Sequence, residues 1–324
     1  MNILYILGNG FDIAQGMRTS YPDFYNYLFK QGKESNPLFE KLKEEIKQDK
    51  INWSDMEKAF GLFTSKIETY EDLETLYFEY LCKYLREYLK SEEDKFVPSD
   101  ELQEKFIEDL ILPSKYLGET DKQSYDILRK RFSSPTYINI MTLNYTSTFE
   151  KLLSKWKWNG SNEIGLKNRS FIVQKINHVH GELKDSIIIG VDNISQIAKE
   201  EFRNNEDVED ILVKERSNLC MKFPRHQVCK NFIQSANLIV LFGVSLGDTD
   251  SMWWKLIGSE FKRRTDIILI EHVYTENNIL ETERQKLGRL ERNRKNILFK
   301  KLDLEDKNIG NRLFFIINSK NFVL

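Results

Sequence analysis

The N-terminal segment of the chain constrains the fold most strongly. Residues 3–7 form an apolar run that ends at Gly8, and Gly10 follows after one further residue. A short apolar run that leads directly into a glycine turn is typical of a buried parallel strand. Because glycine adopts backbone conformations closed to other residues, such a turn also lets the backbone approach a phosphate closely.

Apolar, strand-like segments alternate with helical patterns along most of the remaining chain. The predicted strands after the first are residues 137–142, 171–179, 187–191, 238–242, 267–273 and 296–302. This alternation favours a mainly parallel sheet with helices on both faces. We therefore expect one doubly wound α/β domain over residues 1–324, with a helical insertion at about residues 24–132.

The insertion contains one especially clear helical pattern. Over residues 73–89, leucines and tyrosines recur at intervals of three and four, so one face is almost entirely apolar or tyrosine. This face predicts a helix that packs in the core or at a subunit contact. If it is a subunit contact, the protein forms a homo-oligomer through the insertion. A second helix is predicted to start at Ser54, because Glu57 stands three residues on in the register of a capping box.

The charge balance and the apolar runs exclude several classes of function. Lys and Arg total 48 against 50 Asp and Glu, a net charge of −2, so the chain has no global positive field for nucleic acid or anionic lipid. Its longest apolar run, residues 236–246, is shorter than the roughly 18 residues that a membrane span requires. The N-terminus lacks the features of a secretion signal, so we expect a cytoplasmic protein without membrane contact.

Cysteine spacing and the distribution of basic residues narrow the classes further. Cys82, Cys220 and Cys229 match neither paired zinc knuckles nor a disulfide framework, and no metal is expected. Basic side chains concentrate in residues 284–295, but glutamates lie in and beside the same run. A solvated helix face is the preferred interpretation of this run, and a nucleic-acid-processing effector is the alternative.

Residues that directly follow the strands are the first candidates for a site, because ligands of doubly wound sheets bind outside the carboxyl ends of the strands. After the first strand these candidates are Gly8, Asn9, Gly10 and Asp12, which resemble half of a dinucleotide fingerprint. The amides of the two glycines are predicted to contact a pyrophosphate. The spacing does not complete G-x-G-x-x-G, since position 13 is isoleucine, and a plain tight turn is the alternative.

Two further candidate segments follow strands in the middle of the chain. Thr142 and Asn144 supply polar groups that can contact a ribose hydroxyl or position water, although a helix cap would explain them as well. His178 and His180 lie on one face if their strand persists, and a histidine beside a sugar can act as a general base. A zinc site is not favoured, because no further histidine or cysteine stands nearby at ligand spacing.

The fourth candidate segment is residues 243–250, where Gly243, Ser245 and Asp248 are predicted to contact the nucleotide. The segment also matches the G-x-S-x-G elbow of serine hydrolases. That mechanism needs a downstream histidine, and His272 lies in an apolar run typical of a strand interior. Asp248 and Asp250 are interpreted either as ribose ligands or as caps of a helix that begins at Ser251.

The order of these segments resembles the bacterial AbiH abortive-infection proteins of phage defence. The marks of that family are G-N-G-F-D, T-S-Y, N-Y-T, H-x-H-G and G-x-S-L-G-x-x-D. In this chain they are residues 8–12, 19–21, 144–146, 178–181 and 243–250. Residues 53–57 also resemble a W-x-D-x-E element of the family.

The same loops are more distantly similar to the NAD-binding fold of sirtuins. That similarity implies a sirtuin-like or Rossmann-like sheet and NAD as ligand, with Asn144 and His180 at the positions of the sirtuin asparagine and histidine. Two features depart from it: sirtuins have an acidic residue where Thr146 stands, and deacetylases carry two CxxC pairs that are absent here. Protein deacetylation is therefore not expected.

These resemblances imply an antiviral protein that binds NAD or a related nucleotide and hydrolyses NAD to nicotinamide and ADP-ribose. Asn144 and His180 are the expected catalytic residues, with His180 as the base. A phage-derived trigger is expected as a partner. The alternative is a nucleotide-binding sensor module that holds the same ligand without chemistry.

Overall fold

The central sheet has seven strands in the described part of the computed structural model, which comprises residues 1–132, 135–154, 163–166, 169–275, 284–305, 309, 312–318 and 322. The strands are β1 (Asn2–Leu7), β2 (Thr136–Thr142), β3 (Glu163–Leu166), β4 (Arg169–His178), β5 (Leu238–Phe242), β6 (Ile268–Val273) and β7 (Leu313–Ile317). Their spatial order is β3-β4-β2-β1-β5-β6-β7. All neighbours pair in parallel except β3 and β4, so β3 is an antiparallel edge strand.

The six parallel strands have the order of a doubly wound sheet. Numbered along the chain, they lie in the sequence 3-2-1-4-5-6, in which the direction of winding reverses beside the first strand. Leu7 at the end of β1 pairs with Thr142 on one side and Phe242 on the other. The switch point of the sheet therefore lies between the carboxyl ends of β1 and β5, and the predicted fold class is confirmed.

Helices cover both faces of the sheet and form a separate block between β1 and β2. The helices before β2 are α1 (Gly10–Ala14), α2 (Tyr21–Lys30), α3 (Pro37–Gln48), α4 (Met56–Phe63), α5 (Tyr70–Thr75), α6 (Lys83–Lys95), α7 (Asp100–Ile111) and α8 (Glu119–Arg129). Those after it are α9 (Thr148–Leu153), α10 (Glu206–Leu212), α11 (Lys214–Cys220), α12 (Arg225–Ser235), α13 (Ser251–Arg263) and α14 (Arg284–Lys301). A π-helical segment, Leu76–Cys82, joins α5 to α6.

The core has three apolar clusters, and the alternation of side chains in β1 explains two of them. Ile3, Tyr5 and Leu7 face a cluster that includes α7 and α9, whereas Leu4 and Ile6 face one that includes α12 and α13. The third cluster joins the helical block to residues 183–213, which follow β4. Each face of β1 is thus covered, as a central parallel strand requires.

The leucine and tyrosine pattern over residues 73–89 forms a helical stretch that packs inside the helical block. Its buried members are Leu73, Leu76, Tyr77, Leu81, Tyr84, Leu85, Tyr88 and Leu89. The predicted core role is confirmed. No helix in the described ranges combines the length and the hydropathy that a bilayer crossing would need.

Two of the predicted strands are wrong. Residues 296–302 lie largely in α14, because Leu298 and Leu302 are one helical turn apart and both are buried against the sheet. A short apolar run does not by itself distinguish a strand from a buried helical segment. Residues 187–191 form only isolated bridges, which involve Ile187 and Val191.

Candidate functional site

A crevice of about 470 Å³ lies outside the carboxyl ends of β1, β2, β4 and β5, at the switch point of the sheet. Loops that follow these strands form one side, the sheet wall: Gly8, Asn9, Gly10, Asp12, Leu143, Asn144, Tyr145, Thr146, His180, Gly243, Val244, Ser245, Gly247, Thr249 and Asp250. The connection between β1 and β2 forms the other side, the insertion wall: Thr19, Tyr21, Ser54, Asp55, Glu57, Leu85 and Leu89. The four candidate segments therefore converge on one cavity.

Most of the predicted site residues line this crevice. Those that do are Gly8, Asn9, Gly10, Asp12, Asn144, His180, Gly243 and Ser245. Thr142 lies beneath the wall and accepts a hydrogen bond at Oγ1 from the amide of Asn144, at 3.1 Å. Asp248 is not among the residues that line the crevice, and its carboxylate contacts Lys58 and Lys301, so the predicted ribose contact gains no support.

The two glycine loops of the sheet wall pack directly on each other. A Cβ on Gly10 would lie 2.5 Å from the Cα of Gly243, and Gly243 has a φ of +67°. The amide of Gly8 donates to the carbonyl of Phe242, and the amide of Gly10 donates to that of Gly243, each at 3.0 Å. These two amides are engaged inside the protein, which does not fit their predicted contact with a pyrophosphate.

Polar side chains tie the first loop to its neighbours. Asn9 and Thr19 form a reciprocal pair, in which Asn9 Nδ2 donates to the carbonyl of Thr19 at 2.9 Å and Thr19 Oγ1 donates to Asn9 Oδ1 at 2.6 Å. Asn144 Nδ2 donates to the carbonyl of Gly8 at 3.1 Å. The Asn144 side chain is thereby held at the end of β1.

Asp12 is a buried carboxylate at the base of the crevice, with 2% of its surface exposed. Its Oδ2 accepts a hydrogen bond from Thr146 Oγ1 at 2.6 Å, whereas its Oδ1 has no partner among the described residues. Burial raises the pKa of Asp12 to about 6, although the polar side chains of Thr146, Thr148 and Asn144 and the charge of His178 oppose the shift. Thr146 therefore serves as a hydrogen-bond donor to this carboxylate.

The two histidines of the H-x-H-G segment have different surroundings. His178 ends β4, and its ring lies 2.9 Å from the carbonyl of Asn144 through Nδ1 and 2.8 Å from Glu150 Oε1 through Nε2. Burial lowers the pKa of His178, but Glu150 outweighs burial and the net shift is upward. His178 therefore supports the Asn144 loop and does not line the crevice.

His180 follows the end of β4 and lines the crevice. Its Nε2 lies 3.0 Å from Asp250 Oδ1, but the N–H is not well aligned with that oxygen for a hydrogen bond. Gly181 follows with a φ of +90°, and a Cβ at this position would lie 1.8 Å from the carbonyl oxygen of Ser186. Only glycine fits after His180, because any side chain would displace the turn.

A buried ion cluster joins the two walls. Lys214 Nζ donates to Glu57 Oε2 at 2.8 Å, to Asp250 Oδ1 at 3.0 Å and to the carbonyl of Thr249 at 3.0 Å. Burial alone would raise the pKa of Asp250, but Lys214 and His180 outweigh it and hold that pKa well below its usual range. Burial raises the pKa of Glu57, and the two carboxylates raise that of Lys214 against the effect of burial.

Asp248 is half-exposed and lies between two lysines outside the crevice. Lys58 Nζ contacts its Oδ2 at 2.9 Å, and Lys301 Nζ contacts its Oδ1 at 2.6 Å. These two ammonium groups lower the pKa of Asp248 to about 2. Asp250 occupies the N-cap position of α13, as one of the two interpretations had it, but its side chain accepts no cap hydrogen bond. Asp192 accepts hydrogen bonds there from Ser251 Oγ and the Met252 amide, at 2.6 and 3.1 Å.

The serine-hydrolase interpretation of the G-x-S-x-G segment finds no support in the geometry. His272 lies within β6, as predicted, and packs against the ring of Phe242. Burial lowers the pKa of His272 to about 3. Ser245 is exposed at the mouth of the crevice, and no hydrogen bond joins its hydroxyl to a histidine within the described part of the chain. A nucleophilic serine would need such a base.

Sequence reasoning missed the residues that complete the insertion wall. The W-x-D-x-E element has three roles. Trp53 is buried, and its carbonyl accepts a hydrogen bond from Tyr25 Oη at 2.8 Å. Asp55 caps α4 by accepting from the Lys58 amide at 3.1 Å, and Glu57 binds Lys214. The predicted cap at Ser54 was therefore one residue early. Lys214 had no local signal, since it stands in an ordinary charged helical stretch.

Comparison with known families covers the part of the chain that forms the crevice. No curated protein matches the chain significantly in sequence. A family described as Bacteriophage abortive infection AbiH matches residues 4–272, a stretch that runs from within β1 to the residue before the end of β6. The matched stretch includes every residue that lines the crevice. The chain therefore belongs to the AbiH family of bacteriophage abortive-infection proteins.

Proposed function

We propose that the protein binds NAD in the crevice and hydrolyses the bond between nicotinamide and ribose. The observation that carries this proposal is the position of Asn144 and His180, which come from separate strands and line one cavity at the switch point of the sheet. Its volume lies in the range of small-molecule sites. Loss of NAD would halt the metabolism of an infected cell, and with it the phage.

The carboxylates of the crevice can stabilise the positive charge that develops during this reaction. Cleavage of the nicotinamide bond builds positive charge on the ribose ring, and fixed negative groups in a buried site stabilise such charge. Asp12, Glu57 and Asp250 are each buried and line the cavity. Their role is electrostatic, and the reaction then requires little beyond a positioned water.

His180 is the proposed base that takes a proton from that water. Asp250 lies 3.0 Å from its Nε2 and would stabilise the imidazolium as it forms. Lys214 holds Asp250 in the ionised state, because the ammonium lies 3.0 Å from the same carboxylate oxygen. Asn144 is fixed by the carbonyl of Gly8 and would hold the nicotinamide ribose or the water.

The geometry changes one part of the ligand's expected binding mode. Because the amides of Gly8 and Gly10 donate within the protein, the glycines form a close-packed floor rather than a phosphate cradle. Ser245 is exposed at the mouth of the crevice. We place the ribose and nicotinamide in the crevice and the phosphates towards this mouth.

The test is NAD turnover by the purified protein, together with cellular NAD after induced expression. Release of nicotinamide and ADP-ribose is expected, with a loss of at least about 100-fold in His180→Ala and Asn144→Ala, the scale of a missing general base. Asp248→Ala, which changes a carboxylate outside the crevice, should keep activity. Tight ADP-ribose binding without turnover, and intact defence in His180→Ala, would instead indicate a sensor module.

A further inference from the structure

The side chains that line the crevice are acidic rather than basic. Four carboxylates line it: Asp12, Asp55, Glu57 and Asp250. No lysine or arginine appears among its described lining residues. Among the residues that the structure describes, one ammonium contacts these groups, that of Lys214, which is shared between Glu57 and Asp250.

Two of the four carboxylates lack a cation of their own. Within the ranges that the structure describes, neither Asp12 nor Asp55 forms an ion pair. Asp12 is the more informative, because its side chain is buried and its Oδ1 has no hydrogen-bond partner there. A buried carboxylate with an unused oxygen is costly to maintain unless a ligand completes it.

We propose that the crevice selects the positively charged, oxidised pyridinium riboside over its neutral reduced form, with Asp12 as the principal acceptor of that charge. This inference rests on the proposed function and names the charge class of its substrate. The favourable interaction is Coulombic and acts in a buried site, where screening by water is weak. A dianionic phosphate group would be repelled from the same place.

The ionisation of Asp12 supports the proposal. Its pKa, raised to about 6 by burial, leaves it ionised at pH 7.5 and protonated in mild acid. Among the described residues, the titratable side chain whose charge acts on Asp12 is His178, which is in turn bound to Glu150. Preference for the cation should therefore weaken as the pH falls through about 6.

The test measures binding of NAD and NADH to full-length protein that carries His180→Asn, which prevents turnover. We expect NAD to bind about tenfold or more tightly than NADH at pH 7.5, and the ratio to fall below about threefold at pH 5. Asp12→Asn in the same background should reduce the ratio to the same extent at pH 7.5. Asp248→Asn is the matched control and should leave the ratio unchanged, because that carboxylate lies outside the crevice.

A second variant keeps the test decisive if Asp12→Asn fails to fold. Asp55→Asn retains a good helix cap and should lower the ratio by a smaller factor. Equal binding of NAD and NADH by the parent protein would overturn charge selection while leaving NAD hydrolysis intact. Absence of nucleotide binding would overturn both proposals.

Discussion

The glycine loops and the buried ion cluster hold the same crevice together by opposite means. The loops of β1 and β5 meet through backbone hydrogen bonds and glycines without side chains between them. The ion cluster joins the insertion to the sheet through charged side chains, with Lys214 between Glu57 and Asp250. We therefore expect the contact between the glycine loops to be sensitive to an added side chain. We expect the ion cluster to be sensitive to the removal of a charge.

The largest effect should follow removal of the central charge. Lys214→Met leaves Glu57 and Asp250 buried without a counterion, so we expect a loss of about 4 kcal/mol in the free energy of unfolding. Urea denaturation measures it. Lys58→Met, which removes a half-exposed lysine from Asp248, is the control and should cost under about 1 kcal/mol. Equal losses in the two variants would show that burial of the cluster is unimportant.

The glycine contact should be nearly as sensitive. In Gly243→Ala the new Cβ would lie 2.4 Å from the Phe11 amide nitrogen, at a residue whose φ is +67°. We expect a loss of about 3 kcal/mol from crowding and backbone strain together. In Gly247→Ala the nearest atoms to the new Cβ would lie 3.6 Å away, and we expect stability to change by about 0.5 kcal/mol or less. A mild effect of Gly243→Ala would mean that the two loops separate readily.

Asp12→Asn should stabilise the protein while impairing its ligand preference. The pKa of Asp12 in the folded protein is about 6, above its usual 3.8. Ionisation of Asp12 therefore destabilises the folded state, fully at pH values above 6 and not at all below about pH 4. We expect a gain of about 2 kcal/mol at pH 7.5. Unfolding measured from pH 4 to pH 8 should show the gain growing with pH. A constant difference across this range would contradict the assigned pKa.

The smallest effect concerns the exposed carboxylate. Asp248→Asn removes contacts with Lys58 and Lys301 at the surface, and we expect a loss of about 0.5 kcal/mol that disappears at high salt. Nucleotide affinity should not change. A large drop in affinity, measured by calorimetry, would restore the ribose contact that the sequence predicted for Asp248.

The difference between the two contacts also explains what could be predicted from the sequence. The first strand, its glycine turn and the loops after β2, β4 and β5 carry local signals, and the rule for doubly wound sheets brings such loops together. The Glu57–Lys214 pair spans 157 positions in the chain and has no local periodicity or motif. Its partners are fixed only by the packing of the insertion against the sheet.

The errors in the predicted fold have related causes. Residues 296–302 are apolar enough for a strand, but Leu298 and Leu302 have the spacing of a helix that packs on the sheet. The predicted role of Gly8 and Gly10 was incomplete, because the sequence does not show which group approaches them. A glycine after a strand permits close approach, and only the fold specifies that the approaching group is Gly243 rather than a phosphate.

A crystal structure of the His180→Asn variant with NAD bound would test directly whether the crevice is the nucleotide site. We expect the nicotinamide ribose to lie between Asn144 and residue 180, with the pyridinium ring near Asp12 and the phosphates beside Ser245 at the mouth of the crevice. A nucleotide bound on another surface, or a crevice that holds the phosphates beside Asp12, would contradict this placement.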